Sequence, residues 1–184
     1  SNSGGQSPDG LQKQIEALQK SLGNGAAQDP SKMDQFQQDL ANAQQLAANL
    51  PDKNSPEGKA AREKLSQMLS NLAQQMKDAG LPLDNLEDAL KALQQGNIDQ
   101  FVKDMNVAGD DLKKLSDMAK QLQSLQQQQA ANKAGRDLAE QLKLAQTDAA
   151  KETLQKMTDQ LKSGQLSKEQ LDKILDEVSK ALSP

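Results

Sequence analysis

The chain has 184 residues and a formal net charge of −4, with no Cys, His, Trp or Tyr and only two Phe. Those absences exclude disulfides, thiolate nucleophiles and Cys-based zinc or iron–sulfur sites, and they remove the commonest general base and metal ligand. Leu, Ile, Val and Phe are 35 of the 184 residues, close to the lower limit for folding. The charge is nevertheless too small for self-repulsion to hold the chain open, so hydrophobic periodicity decides.

Residues 1–8, Ser1-Asn2-Ser3-Gly4-Gly5-Gln6-Ser7-Pro8, read as a tag scar and flexible linker on a piece of a larger protein. They carry no basic and apolar signal pattern, and no apolar run approaches the roughly 18 residues of a membrane span. Asp9 is placed to cap a first helix bearing Leu11, Ile15, Leu18 and Leu22, which Gly23 ends. After a mobile stretch near Gly23 to Gln28, Asp29-Pro30 opens a second helix, where proline's missing N–H costs nothing. Its stripe of Met33, Phe36, Leu40, Ala43, Ala47 and Leu50 alternates three and four, which is coiled-coil spacing, and stops at Pro51. A second mobile linker runs from Pro51 to Pro56. Ser55-Pro56 repeats the capping pattern for a third helix with Ala61, Leu65, Met68, Leu72, Met76 and Ala79, closed by Gly80.

Asp84 and Glu87 form a capping-box pattern ahead of a short helix with Leu86, Leu90 and Leu93, ending at Gly96; Asn97 and Gln100 repeat it before Ile98, Phe101, Val102 and Met105. Gly109 is read as a break that Asp110 or Asp111 recaps. The stripe of Leu112, Leu115, Ala119 and Leu122 then loses phase in Gln126 to Gln129 and resumes as Ala131, Leu138, Leu142 and Ala145. The stretch 110–146 is therefore either a hairpin near Gly135 or one helix with a stutter. Thr147 or Asp148 starts a further helix with Leu154, Met157 and Leu161, stopped at Ser163-Gly164. Ser167 and Gln170 make a capping box for the last helix, stapled by Leu166 and Leu171, with Leu171, Ile174, Leu175, Val178 and Leu182 as its buried face.

An offset of 85 residues aligns Leu69, Gln75, Lys77, Leu81, Leu86 and Leu90 with Leu154, Gln160, Lys162, Leu166, Leu171 and Leu175. This is either an internal duplication or the chance match of two leucine-rich helix–turn–helix units. The fold class is all-α: about seven amphipathic helices in antiparallel hairpins, as an elongated bundle or solenoid-like array with coiled-coil-type packing. Residues 9–96 form an N-terminal helical region and 97–184 a C-terminal one, or the two make one continuous domain. Leu40, Leu72, Leu122 and Leu175 are the designated core positions, and Phe36 and Phe101 lie within leucine stripes.

Chemistry finds little purchase. Asp84 with Asp88, and Asp110 with Asp111, are carboxylate pairs, but they fall at helix starts, where Asp caps backbone amides. Asn106 to Asp111 lacks the ligand spacing of a calcium loop. No phosphate-binding, dinucleotide-binding or nucleophile-elbow motif occurs. With Arg62 and Arg136 the only arginines and Lys113-Lys114 the longest basic run, no cationic footprint for nucleic acid is present. Polar faces of glutamine and mixed charge, without Trp anchors, disfavour an interfacial membrane helix. No catalytic, cofactor-binding or metal-ligating residue is nominated, and no cofactor is implied.

The reading is a non-enzymatic structural or protein-interaction module of a larger bacterial protein, a spacer or docking scaffold that meets a protein partner or itself. Its alternative is a helical carrier or chaperone-like domain that holds an apolar ligand, lipid or exported partner among Met33, Phe36, Met68 and Met76. The glutamine-rich helices, with the run Gln126 to Gln129, are loosely similar to helical segments of bacterial envelope and secreted proteins. That likeness favours the cell envelope or exterior over the cytoplasm and carries no motif specific to a function.

Overall fold

A computed structural model describes residues 8–183; of the proposed tag scar and linker at 1–8, residues 1–7 lie outside the described residues and Pro8 is the first residue of a helix. The protein is all-α. Among the described residues there are seven α-helices: α1 Pro8–Leu22, α2 Pro30–Ala48, α3 Pro56–Asp78, α4 Asp84–Gln94, α5 Ile98–Lys143, α6 Thr147–Lys162 and α7 Lys168–Leu182. A 3₁₀ turn, Ala26–Gln28, precedes α2. The chain separates by contact into a unit of residues 17–122 and a unit of residues 1–16 with 123–184.

Several helix starts follow the local signals. Asp29 accepts from the backbone N–H of Ser31 at 3.0 Å and of Lys32 at 3.4 Å, with Pro30 at the first helical position. Ser55 accepts from Gly58 N–H at 2.9 Å. At α7 both arms of the capping box form: Gln170 N–H donates to Ser167 Oγ at 3.1 Å, and Ser167 N–H to Gln170 Oε1 at 2.9 Å. Each such cap satisfies donors that the first helical turn leaves unpaired.

Other starts depart from expectation. Pro8 is helical, so Asp9 lies in the first turn of α1 and does not precede it. The N-cap of α4 is Leu83, with no side-chain cap bond. Leu81 and Leu83 are both buried, which anchors the chain in the core right up to the helix, and Asp84 becomes its first residue, where its charge still complements the dipole. Asn97 Oδ1 accepts from Gln100 N–H, but the Gln100 amide donates outward to Asp104 instead of closing the box.

In the unit of residues 17–122, α3 packs against α2 and α4. The core holds Met33, Phe36, Leu40, Leu65, Leu69, Leu72, Met76, Leu86, Leu93, Phe101, Met105, Leu112 and Leu122. Small residues share it: Ala43, Ala89, Ala92, Ala108 and Ala119 are buried, and alanine lets helix axes approach closely. Both segments read as mobile linkers are tied down. Ala27 is fully buried in the 3₁₀ turn. Between α2 and α3, Ser55 N–H and Oγ–H both donate to Asp52 O, at 3.0 and 2.7 Å, and Asn54 N–H donates to Asp52 Oδ1 at 3.1 Å.

Gly109 does not break α5, and residues 110–143 are one helix with no hairpin at Gly135. Both glycines serve close approaches. A Cβ on Gly109 would stand 3.1 Å from Gln44 Nε2, whose amide donates to Met105 O at 3.3 Å. A Cβ on Gly135 would stand 2.9 Å from Ile174 Cγ2.

In the unit of residues 1–16 and 123–184, α6 packs against α7. Its buried cluster is Ala131, Leu138, Ala139, Ala150, Met157, Leu166, Ile174 and Val178, with Ala134 and Leu171 packed partly against it. Leu166 and Leu171, the expected staple, thus meet the same core. Four leucines assigned to buried stripes are instead exposed: Leu142 at 43%, Leu154 at 42%, Leu175 at 41% and Leu182 at 41%. The α5 helix ends in a Schellman arrangement in which Gln146 N–H donates to Gln141 O at 2.8 Å and Ala145 N–H to Leu142 O at 3.2 Å. Its left-handed residue is Ala145, φ +58°.

Candidate functional site

The carboxylates that sequence reasoning considered do not converge. Asp84, Asp88 and Asp110 are exposed. Asp111 is half-buried and accepts from Asn85 Nδ2 at 3.0 Å, a contact that ties α4 to α5. Residues 106–111 lie within α5, where successive side chains are turned about 100° apart and so cannot surround one ion. Among the described residues no group of three or more His, Cys, Asp or Glu is placed to hold a metal, and no helix is long and apolar enough to cross a membrane.

Among the described residues, two surface depressions stand out. One, about 470 Å³, lies in the unit of residues 17–122 and is bordered by Lys32, Gln35, Phe36, Gln75, Asp78 and Ala79. Of the four residues expected to line an apolar pocket, only Phe36 reaches it; Met33 and Met76 are fully buried and Met68 is half-buried elsewhere on α3. The other, about 220 Å³, runs between α5 and α6 past Ala130, Lys133, Ala134, Asp137, Thr153, Lys156, Met157 and Gln160. Its charged groups are partly spent on one another, since Lys133 Nζ meets Asp137 Oδ2 at 3.1 Å. Thr153 Oγ1 has its own partners in Gln141 Oε1 and Ala149 O.

The more distinctive surface is aliphatic. On α7, a helix of 3.6 residues per turn places Ile174 and Val178 at the centre of the buried stripe and Leu171, Leu175 and Leu182 along one edge of it. Burial follows that geometry: Ile174 and Val178 are 4% and 6% exposed, Leu171 is half-buried, and Leu175 and Leu182 are exposed. The α6 helix repeats the pattern, with Ala150 and Met157 buried, Leu161 half-buried and Leu154 exposed at the edge. Beside this edge the charges are balanced locally, as where Lys180 Nζ meets Asp176 Oδ2 at 3.1 Å. The sequence shows all these leucines as one continuous stripe. What separates lining from exposed edge is the width of the stripe against the width of the partner helix, which no local spacing encodes.

No family model matches this chain, no curated protein matches its sequence, and no solved structure matches it.

Proposed function

We propose that this protein is a non-enzymatic helical scaffold that works by self-association through the leucine edge of α6 and α7. The carrying observation is the exposure of Leu154, Leu175 and Leu182 beside a core that is already filled by Met157, Leu166, Ile174 and Val178. Leu154, Leu175 and Leu182 are 42%, 41% and 41% exposed, so burying what remains of each would add about 0.6–1.2 kcal/mol. A second copy is the occupant that fits best. Under two-fold symmetry a stripe meets itself, and Leu175 and Leu182 recur at the seven-residue interval that self-pairing helices use. Charge also permits it: α6 sets Asp148, Glu152 and Asp159 against Lys151, Lys156 and Lys162, and α7 sets Lys168, Lys173 and Lys180 against Glu169, Asp172, Asp176 and Glu177. Each such face carries a net charge of only −1, so two meet with little repulsion, and opposite charges can be placed across the seam.

Sedimentation equilibrium over a wide concentration range tests this. The parent chain should rise from monomer to dimer mass, while Leu175→Ser combined with Leu182→Ser should stay monomeric and retain its helical circular dichroism. A parent that remains monomeric throughout, or a double variant that dimerises as the parent does, overturns the proposal.

A further inference from the structure

We infer that Asn24 is a built-in modification site, at which the chain converts slowly to aspartyl and isoaspartyl forms and so loosens the seat of its first turn on α3. Asn24-Gly25 is the one Asn-Gly step in the 184 residues. Glycine carries no side chain to shield its nitrogen and imposes little restriction on its backbone, so the Asn carboxamide can be brought over the following amide. Among the described residues no hydrogen bond holds the reacting groups of this pair. Asn24 is exposed and lies outside any helix, and Gly25 has φ +104°. The turn's hydrogen bonds are donated by Gly23 N–H to Gln19 O, by Gln28 N–H to Gly25 O and by Gln28 Nε2 to Gly23 O. None of them engages the Asn24 carboxamide or the Gly25 N–H.

Other asparagines are held differently. Asn54 precedes Ser55, the next most open successor, but Ser55 N–H is bound to Asp52 O at 3.0 Å. Asn42, Asn71, Asn85, Asn106 and Asn132 lie within helices, whose regular backbone keeps the following nitrogen away from the side-chain carbon.

The chemistry needs only water. Gly25 N attacks Asn24 Cγ; the new N–C bond forms as the Cγ–NH₂ bond breaks, and ammonia leaves with the proton from the Gly25 amide. Water then opens the cyclic imide at either carbonyl. One opening gives aspartate and the other gives isoaspartate, with an extra methylene in the main chain.

The site makes either product consequential. The turn is seated directly on the end of α3: a Cβ on Gly25 would lie 2.7 Å from Ala79 O, and a Cβ on Gly80 would lie 3.0 Å from Asn24 O. A lengthened main chain has no slack there. A new carboxylate would also sit just past the C-terminus of α1 and beside that of α3, the negative ends of both helix dipoles.

The test is ageing of the full chain in warm, mildly alkaline buffer, followed by peptide mapping with mass spectrometry and by labelling with an isoaspartyl methyltransferase. The peptide containing Asn24 should gain the mass of an amide-to-acid change and accept the methyl label before the peptides containing Asn54 or the helical asparagines. The converted fraction, separated by ion exchange, should unfold about 2–4 °C lower than the fresh chain. Asn24→Gln, aged in parallel, should keep its midpoint. Conversion at Asn54 or within a helix ahead of Asn24, or a converted fraction that melts with the parent, overturns the inference.

Discussion

The close approach of α7 to α5 at Gly135 gives the sharpest test of how the unit of residues 123–184 is packed. Replacing glycine by alanine inside an exposed helix is worth about 1 kcal/mol in helix propensity, so on that ground Gly135→Ala and Gly109→Ala should both stabilise α5. The surroundings separate them. At Gly109 the new methyl meets Gln44 Nε2 at 3.1 Å, the far end of a flexible side chain, and the hydrogen bond to Met105 O that this displaces is worth about 0.5–1.5 kcal/mol. The terms nearly cancel, and Gly109→Ala should fall within about 0.5 kcal/mol of the parent. At Gly135 the methyl lands 2.9 Å from Ile174 Cγ2. That atom branches at Cβ and cannot swing away without changing a stiff χ1. Overpacking of this kind costs about 1–3 kcal/mol, so Gly135→Ala should be about 1 kcal/mol less stable than the parent despite its better propensity. Urea unfolding followed by helical circular dichroism measures both. Ile174→Leu removes the Cγ2 branch, and in a double-mutant cycle it should recover most of the Gly135→Ala loss. If Gly135→Ala is as stable as Gly109→Ala, or if the cycle shows no coupling to Ile174, the packing described for α5 and α7 is wrong.

Four further substitutions follow from particular side chains. Ala145 holds a left-handed backbone at φ +58°; Ala145→Gly should stabilise the chain by about 0.5–1 kcal/mol, read as an unfolding midpoint higher by about 1–4 °C. Ser116 is 1% exposed and its Oγ has no hydrogen-bond partner, so Ser116→Ala should leave stability unchanged or raise it by about 1 kcal/mol in urea unfolding, since an unsatisfied buried hydroxyl is removed. Leu69 and Leu154 occupy equivalent places in the 85-residue alignment but are 0% and 42% exposed. Leu69→Ala should cost about 3 kcal/mol and Leu154→Ala less than about 1 kcal/mol in the same assay, the difference being the cavity that only the first leaves.

Those contrasts also mark how far local sequence reaches. Helix identity was legible almost throughout, because the stripes Met33–Phe36–Leu40–Ala43 and Leu65–Leu72–Met76 repeat at helical spacing and are buried as a face. Caps at Asp29, Ser55 and Ser167 were legible because a short side chain reaches its own backbone whatever the tertiary surroundings. Gly109 and Gly135 were not. Their spacing resembles a break, and only a neighbouring helix, through Gln44 or Ile174, shows that the missing Cβ makes room. Asp84 failed as a cap for a related reason: Leu81 and Leu83, buried just before it, set where α4 begins.

The designated core positions carry the argument to the surface. Leu40, Leu72 and Leu122 are 2%, 4% and 1% exposed, whereas Leu175 is 41% exposed. All four sit in stripes of the same period, so period alone cannot distinguish them. The first three lie in the unit where α3 is packed by both α2 and α4. Leu175 lies on α7, where packing with residues of α5 and α6 takes up Ile174 and Val178 and leaves the stripe's edge free. A stripe wider than its intramolecular partner is therefore the physical origin of the surface proposed for self-association, and its width is already written in Leu171, Ile174, Leu175, Val178 and Leu182. Narrowing it should act on assembly without touching the fold. Leu175→Ser and Leu182→Ser should each cost about 1 kcal/mol, whereas Ile174→Ala should cost about 2–5 kcal/mol. Equal losses at Leu175 and Ile174 in urea unfolding would mean that Leu175 is a core residue and that the edge is not a surface at all.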